Sequence, residues 1–167
     1  MRLLVLPCVL AAMTCARGTP APGSAGAAEQ RARADTLRGT IEVVGSEPAT
    51  LAALMVDGGR RAVTLEGPRP LLDRLAGLEV AVWGAPLRAG VFRVERVEVR
   101  ASAGVPAVDG VLARHGRGWV LVTHDGRRLP VAHLPEVLQR MEGARVWLAG
   151  PLDRDPDSSG VISDPPS

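Results

Sequence analysis

Apolar positions in this chain fall into short runs with a period near two, broken by Gly and by Asp-Gly pairs, and the series of runs occurs twice. The segment LEVAVWGAPL at 78–87 returns as ARVWLAGPLD at 144–153, pairing Gly77 with Gly143, Val80 with Val146, Val82 with Leu148 and Gly84 with Gly150. Upstream, Leu71, Leu72, Arg74 and Leu75 fall opposite Val137, Leu138, Arg140 and Met141. LRGTI at 37–41 resembles VDGVL at 108–112, and Gly-Arg-Arg at 59–61 matches Gly-Arg-Arg at 126–128 after a one-residue shift. Self-similarity of this kind predicts two copies of one small structural unit. Each copy predicts the same order. First strands lie near 38–45 and 108–114, second strands near 50–56 and 118–124, and third strands near 60–65 and 127–132. Asp57-Gly58 and Asp125-Gly126 stand between the second and third, where a tight hairpin needs positive φ. A short helix follows in each copy. Leu71, Leu72 and Leu75 lie between Pro70 and Gly77; Leu134, Val137, Leu138 and Met141 recur at helical spacing between Pro135 and Gly143. The echo is the fourth strand. VFRVERVEVR at 91–100 is the fifth, with an apolar phase slip between Val94 and Val97 that predicts a bulge, and VIS at 161–163 is its short counterpart.

Strand, strand, strand, helix, strand, strand is the order of the OB-fold, a five-stranded Greek-key barrel. The chain resembles that family by element order over residues 37–164, which implies a mainly β protein. The expectation is two small OB-like barrels in tandem at 37–104 and 105–164, each with one short helix between strands three and four, and a tail at 165–167. An SH3-like barrel, or one sandwich shared by both halves, is the alternative.

The N-terminus changes the picture from fold to address. MRLLVLPCVLAAMTCARG carries one charge, Arg2, ahead of an apolar run from Leu3 to Met13. That is the length of a signal-peptide core and too short for a permanent span. Its end, AAMTC, resembles the lipobox of bacterial lipoproteins, although Ala12 stands where Leu is usual and Thr14 where Gly, Ala or Ser is usual. The resemblance implies a signal segment at 1–15, lipidation of Cys15 and a membrane partner engaged through that anchor. Ordinary cleavage after Ala16, giving a soluble exported protein, is the alternative. Cys8 is a poor alternative anchor, because Pro7 directly precedes it and too little apolar chain lies upstream. Both Cys lie within the first fifteen residues, so the remainder has no thiol for a disulfide, a metal or catalysis. Residues 16–36, rich in Ala, Gly and Pro, read as a linker that reaches between about 25 Å as a coil and about 65 Å when extended.

Composition excludes more than it selects. All 20 basic residues are Arg, the formal charge is +2 and aromatic residues are 2% of the chain. Single-strand binding needs aromatic platforms on a cationic groove. Only Trp119 lies in a candidate second or third strand, and export argues further against a nucleic-acid partner. Arg60, Arg61, Arg127 and Arg128 are the candidate anion contacts, though adjacent strand residues point to opposite faces. His115, His124 and His133 are evenly spaced in sequence, but the hairpin places His124 about 20 Å from the other two at 3.3 Å per residue.

DRDPDSSGVISD at 153–164 sets Asp153, Asp155, Asp157, Ser159 and Asp164 at positions 1, 3, 5, 7 and 12 of the EF-hand spacing, which resembles a calcium loop. Ser158 replaces the Gly required at position 6, and Pro156 occupies position 4. Calcium is the one candidate cofactor. No Gly-x-Ser-x-Gly, phosphate loop or histidine and carboxylate constellation points to an enzyme. The expectation is a non-enzymatic, membrane-anchored binding or assembly module of the bacterial cell envelope, standing in the periplasm or outside the cell, with an envelope protein or glycan as partner. A soluble exported small-ligand or calcium-binding protein using loop 153–164 is the alternative.

Overall fold

The structure, a computed structural model, describes residues 35–46 and 49–166. The signal segment, Cys15 and nearly all of the expected linker lie outside the described residues. Asp35 and Thr36, expected as linker, instead open the first strand opposite Gly84 and Trp83.

The protein is mainly β. The strands are β1 (Asp35–Ser46), β2 (Ala49–Val56), β3 (Arg61–Glu66), β4 (Leu78–Arg88), β5 (Val91–Ser102), β6 (Val105–His115), β7 (Gly118–Val122), β8 (Arg128–Val131), β9 (Arg145–Ala149) and β10 (Ser158–Ser163). One short helix, α1 (Arg69–Arg74), lies between β3 and β4. In the first half β1 pairs with β2, β2 with β3, β3 in parallel with β5, β5 with β4, and β4 with β1, so the pairing runs in a circuit. The second half repeats this order as β8-β7-β6-β9-β10. It carries no ladder between β8 and β10 among the described residues, and so forms an open row.

The two rows are not separate. Ala101 and Ser102 of β5 pair with Pro106 and Val105 of β6, joining all ten strands in a single sheet. The turn between them is two residues, Ala103 at φ 49° and Gly104 at φ 80°, the left-handed pair that matches strand twist. The expectation of two independently closed barrels is corrected here: a tight hairpin joins the halves, and the second does not close.

Close backbone approach explains why the halves look alike. A Cβ on Gly39 would lie 2.2 Å from the Met55 carbonyl oxygen, and one on Gly110 would lie 2.5 Å from that of Val122. Both positions demand Gly because β1 and β6 cross tightly over the second strand of their row. Downstream, the Gly77 amide donates to Ile41 O and the Gly143 amide to Leu112 O, each at 2.8 Å. Both glycines are left-handed, with φ of 81° and 84°. The phase slip in the fifth strand is also present. Trp83 pairs with Arg96 and Gly84 with Val94, leaving Glu95 as the extra residue of a bulge.

Both hairpin turns are longer than the Asp-Gly pair that marks them. Four residues, Asp57–Arg60, separate the paired Val56 and Arg61. In the second half the Thr123 amide donates to Arg127 O and the Gly126 amide to Thr123 O, both at 2.9 Å, closing a three-residue loop on left-handed Gly126. This register makes Arg61 the counterpart of Arg127, one residue off the match suggested by Gly-Arg-Arg.

The helix expected in the second half is absent. Residues 135–144 form successive turns in which Leu138 N donates to Pro135 O, Gln139 N to Glu136 O and Met141 N to Leu138 O. The Gln139 side chain takes Leu134 O at 2.9 Å, the carbonyl that an α-helix would offer to Leu138. Leu134 and Leu138 are buried as expected, while Val137 is 74% exposed. In the first half, α1 holds because Arg69 ties it to β2 through Thr50 O and Oγ1, at 2.6 and 2.9 Å, while Leu72 and Leu75 enter the core.

Two apolar cores meet at β9. Val146 and Leu148 face a core with Leu112, Trp119, Leu121, Val131, Leu134 and Leu138. Trp147 and Ala149, on the opposite face, join Ile162 and the first half's Ile41, Leu54, Val80 and Val99. A strand buried on both faces makes the halves interdependent. Polar contacts seal the same junction. Asp109 accepts from Val99 N at 2.8 Å and from Arg145, which also donates to Val97 O. Arg74 meets Asp164 at 2.7 Å.

Candidate functional site

The candidate site follows from the opening of the second row. In the first half, β5 lies between β3 and β4: Thr64, Leu65 and Glu66 pair with Val91, Phe92 and Arg93 on one side, and Arg88, Pro86 and Ala85 pair with the same three on the other. By the 66-residue offset that matches Gly84 with Gly150, Thr64, Leu65 and Glu66 correspond to Pro130 and Val131 on β8 and Ala132 just past it, and Ala85 and Pro86 correspond to Pro151 and Leu152 after β9. Here β9 ends at Ala149, and β10 begins only at Ser158. No strand fills the interval.

What remains is an open cleft of about 730 Å³ lined by Trp119, Val120, Pro130, Val131, Pro151 and Leu152, with His115, Gly118, Ala132 and Asp153 around it. At its floor the two segments adjoin directly, with Ala132 N donating to Leu152 O at 2.8 Å. Pro130 stands where Thr64 donates its amide to Gly90 O at 2.8 Å, so this edge lacks one ladder donor, a common way to blunt a free edge. Trp119 is held from behind by the Arg114 guanidinium, 4.0 Å from its ring centre. The walls are apolar, and the titratable side chains His115 and Asp153 are exposed. Such a surface suits burial of an apolar group.

The sequence signalled this place only indirectly, through Pro130 in a strand and a shortened fifth strand. The residues expected to carry chemistry lie elsewhere or apart. The polar side chains of loop 153–164, expected to hold calcium, are spread over several contacts. Its second half is strand β10, where Ser159 pairs with Leu148. Asp164 is bound to Arg74, and Asp155 faces His133 at 3.6 Å with its side chain 92% exposed. Asp157 packs against Gly150, where an added Cβ would meet its Oδ2 at 2.7 Å. Among the described residues no three His, Cys, Asp or Glu side chains are placed to hold a metal ion.

The arginine pairs sit on two different hairpins. Arg61 Nε meets Asp57 at 3.3 Å and Arg127 Nε meets Asp125 at 2.7 Å, so each secures its own turn. Arg60 and Arg128 are exposed beside them. Thr123 Oγ1 donates to Asp125, and this bond, with help from Arg127, holds the Asp125 carboxyl below its ordinary value. Arg74 does the same for Asp164, through its hydrogen bond and its charge. His124 lies in the β7–β8 turn, away from His115 at the end of β6. On the outer face of the first half, Trp83 lies under Arg96 at 3.8 Å and Arg100 at 5.7 Å, with Glu98 bridging both arginines. Two guanidinium groups share one carboxylate in this ladder, and the Trp83 ring face takes up part of the remaining positive charge.

Among the described residues no helix is long and apolar enough to cross a membrane. Comparison with known protein families, curated proteins and solved structures returned no match.

Proposed function

We propose that the protein is an exported, membrane-anchored, non-enzymatic binding module of the bacterial cell envelope, built from two OB-like units at 37–104 and 105–164. The circuit β1-β2-β3-β5-β4, with a helix between its third and fourth strands, supports the OB-like reading of the first unit. The same order, left open, supports a divergent second copy. Fold alone carries no function. The observation that carries the binding reading is the apolar-walled cleft of the second unit. Its polar rim is exposed to water, which suits recognition better than proton transfer. The lipobox-like AAMTC and the Ala/Gly/Pro-rich stretch after it support an anchor at Cys15 and a tether that presents the folded part to an envelope partner.

Metabolic labelling with a palmitate analogue tests this reading. Label on the wild-type chain, recovery with membranes and loss of both in Cys15→Ala are expected. An unlabelled wild-type chain in the soluble exported fraction would overturn the anchor.

A further inference from the structure

The alternation of β5 creates a second place for a ligand, away from the cleft. Val97 and Val99 enter the core, at 1% and 2% exposure, so Arg96, Glu98 and Arg100 share the opposite face of the strand. Trp83 on β4 is the cross-strand partner of Arg96, and its ring centre lies 3.8 Å from the Arg96 guanidinium. The three charged side chains border a pocket of about 250 Å³, which is also lined by Val108 and Asp109 of β6 and by His124 of the β7–β8 turn.

The charges around this pocket do not cancel. Asp109 is matched by Arg145, and Asp125 by Arg127. Glu98 is taken by Arg100 at 2.6 Å, while Arg96 stays 3.7 Å from it. Arg96 is held by the ring face rather than by hydrogen bonds. Its Nε is buried with no hydrogen-bond partner among the described residues, yet the side chain keeps 34% exposure, so a ligand would meet its Nη groups. We infer that the pocket holds a small carboxylate, whose two oxygens pair with the Arg96 Nη groups while Trp83 covers the guanidinium face. A flat, permanently charged fork suits a two-oxygen acceptor. Stacking fixes that fork before the ligand arrives, which lowers the ordering cost of binding. One unmatched positive charge fits a monoanion. A phosphate dianion would bring its second charge against Glu98, Asp109 and Asp125, which already have their cations. The apolar cleft takes no part in this site, so the inference goes beyond the binding reading above.

Calorimetric titration of D-glucuronate into the full chain in detergent, at low ionic strength, tests the site. Saturable binding is expected, with none for D-glucose, which lacks the carboxylate. N-acetylalanine presents the same group as a peptide terminus does, and the tighter of the two carboxylates identifies the source. Arg96→Lys keeps the charge but loses the fork and its stack, and should bind at least about tenfold more weakly. Glu98→Gln should bind several-fold more tightly, because it removes the carboxylate that competes for both guanidinium groups. That gain keeps the test decisive should Arg96→Lys misfold. Equal binding by Arg96→Lys and the wild type at an unchanged melting temperature overturns the inference. So does weaker binding by Glu98→Gln, or the absence of saturable heat with both carboxylates. Tighter binding of inorganic phosphate than of either carboxylate also overturns it, in favour of a phosphate site. The palmitate label on Cys15 is read separately, so failure of the carboxylate leaves the anchor reading intact.

Discussion

Asp109 is the polar pivot of the junction between the halves, and removing it tests whether that junction carries stability. Its side chain is 6% exposed. It accepts from Val99 N and from Arg145 Nε at 2.8 and 2.7 Å, and from Arg145 Nη2 as well. Asp109→Ala strands one buried amide, at about 1–3 kcal/mol. It also leaves the Arg145 guanidinium without its counter-ion, a loss of about 3–5 kcal/mol for a fully buried pair. Because Arg145 keeps 26% exposure, water recovers part of its solvation, and about 3 kcal/mol in total is the expected loss. Arg145→Ala should cost at least as much, since it leaves the more deeply buried carboxylate unpaired. The double variant should lose little more than either single one, because each first substitution already abolishes the pair. Urea denaturation of all four proteins at neutral pH gives the coupling as the departure from additivity. A coupling under about 0.5 kcal/mol, or a single loss under about 1 kcal/mol, would refute the pivot and leave the junction to apolar contact alone.

Gly39→Ala and Gly110→Ala should each destabilise by about 1–3 kcal/mol, the cost of forcing extra volume against fixed backbone. Gly118→Ala should be near neutral, and equal melting temperatures for all three would reject the close-approach argument. Trp147→Ala should cost about 3–5 kcal/mol by emptying a site between two cores. If the halves are interdependent, it should lower one common unfolding transition rather than split it in calorimetry. Acid should destabilise the fold. The Asp125 and Asp164 carboxyls are held below their ordinary values, by Thr123 and by Arg74 first. Their contribution is therefore complete above about pH 4 and is lost as pH falls toward the lowered values. Asp164→Asn should flatten the part of the urea-midpoint drop between pH 6 and pH 3 that belongs to Arg74. Millimolar calcium should leave the melting curve unchanged, and a rise of several degrees would restore loop 153–164 as a cation site.

Strand order was legible because it rests on local signals. Alternation marked each strand, Asp-Gly marked both hairpins and the slip between Val94 and Val97 marked the bulge at Glu95. What was hidden depends on contacts distant in sequence. The helical spacing at 134–141 is genuine, but one side chain, Gln139, claims the carbonyl that would propagate it, and periodicity is blind to such competition. The carboxylates of loop 153–164 share a spacing with calcium loops, yet Arg74, ninety residues away in sequence, had already claimed Asp164. The cleft was hidden for a related reason: its walls, Trp119 with Val131 and Pro151 with Leu152, come together only in the folded sheet.

The outer faces of the two halves are built differently. Arg38, Ala81 and Glu79 in the first half stand where Asp109, Trp147 and Arg145 stand in the second, by their matching positions on paired strands. In the second half this face is apolar at its centre and lies against the first half, with its charges matched as Asp109 and Arg145. In the first half the centre is only Ala81, rimmed by exposed Arg38 and Glu79 and by the Arg96, Glu98 and Arg100 ladder. A surface docking there would bury these charges with little apolar contact to offset their desolvation. One copy therefore uses its outer face for the junction, while the other closes its circuit of strands and rims its outer face with charge. Ala81 is itself fully buried beneath these side chains, so Ala81→Trp should destabilise the fold by about 1–3 kcal/mol through overpacking; an unchanged urea midpoint would show that this face has room for a large side chain.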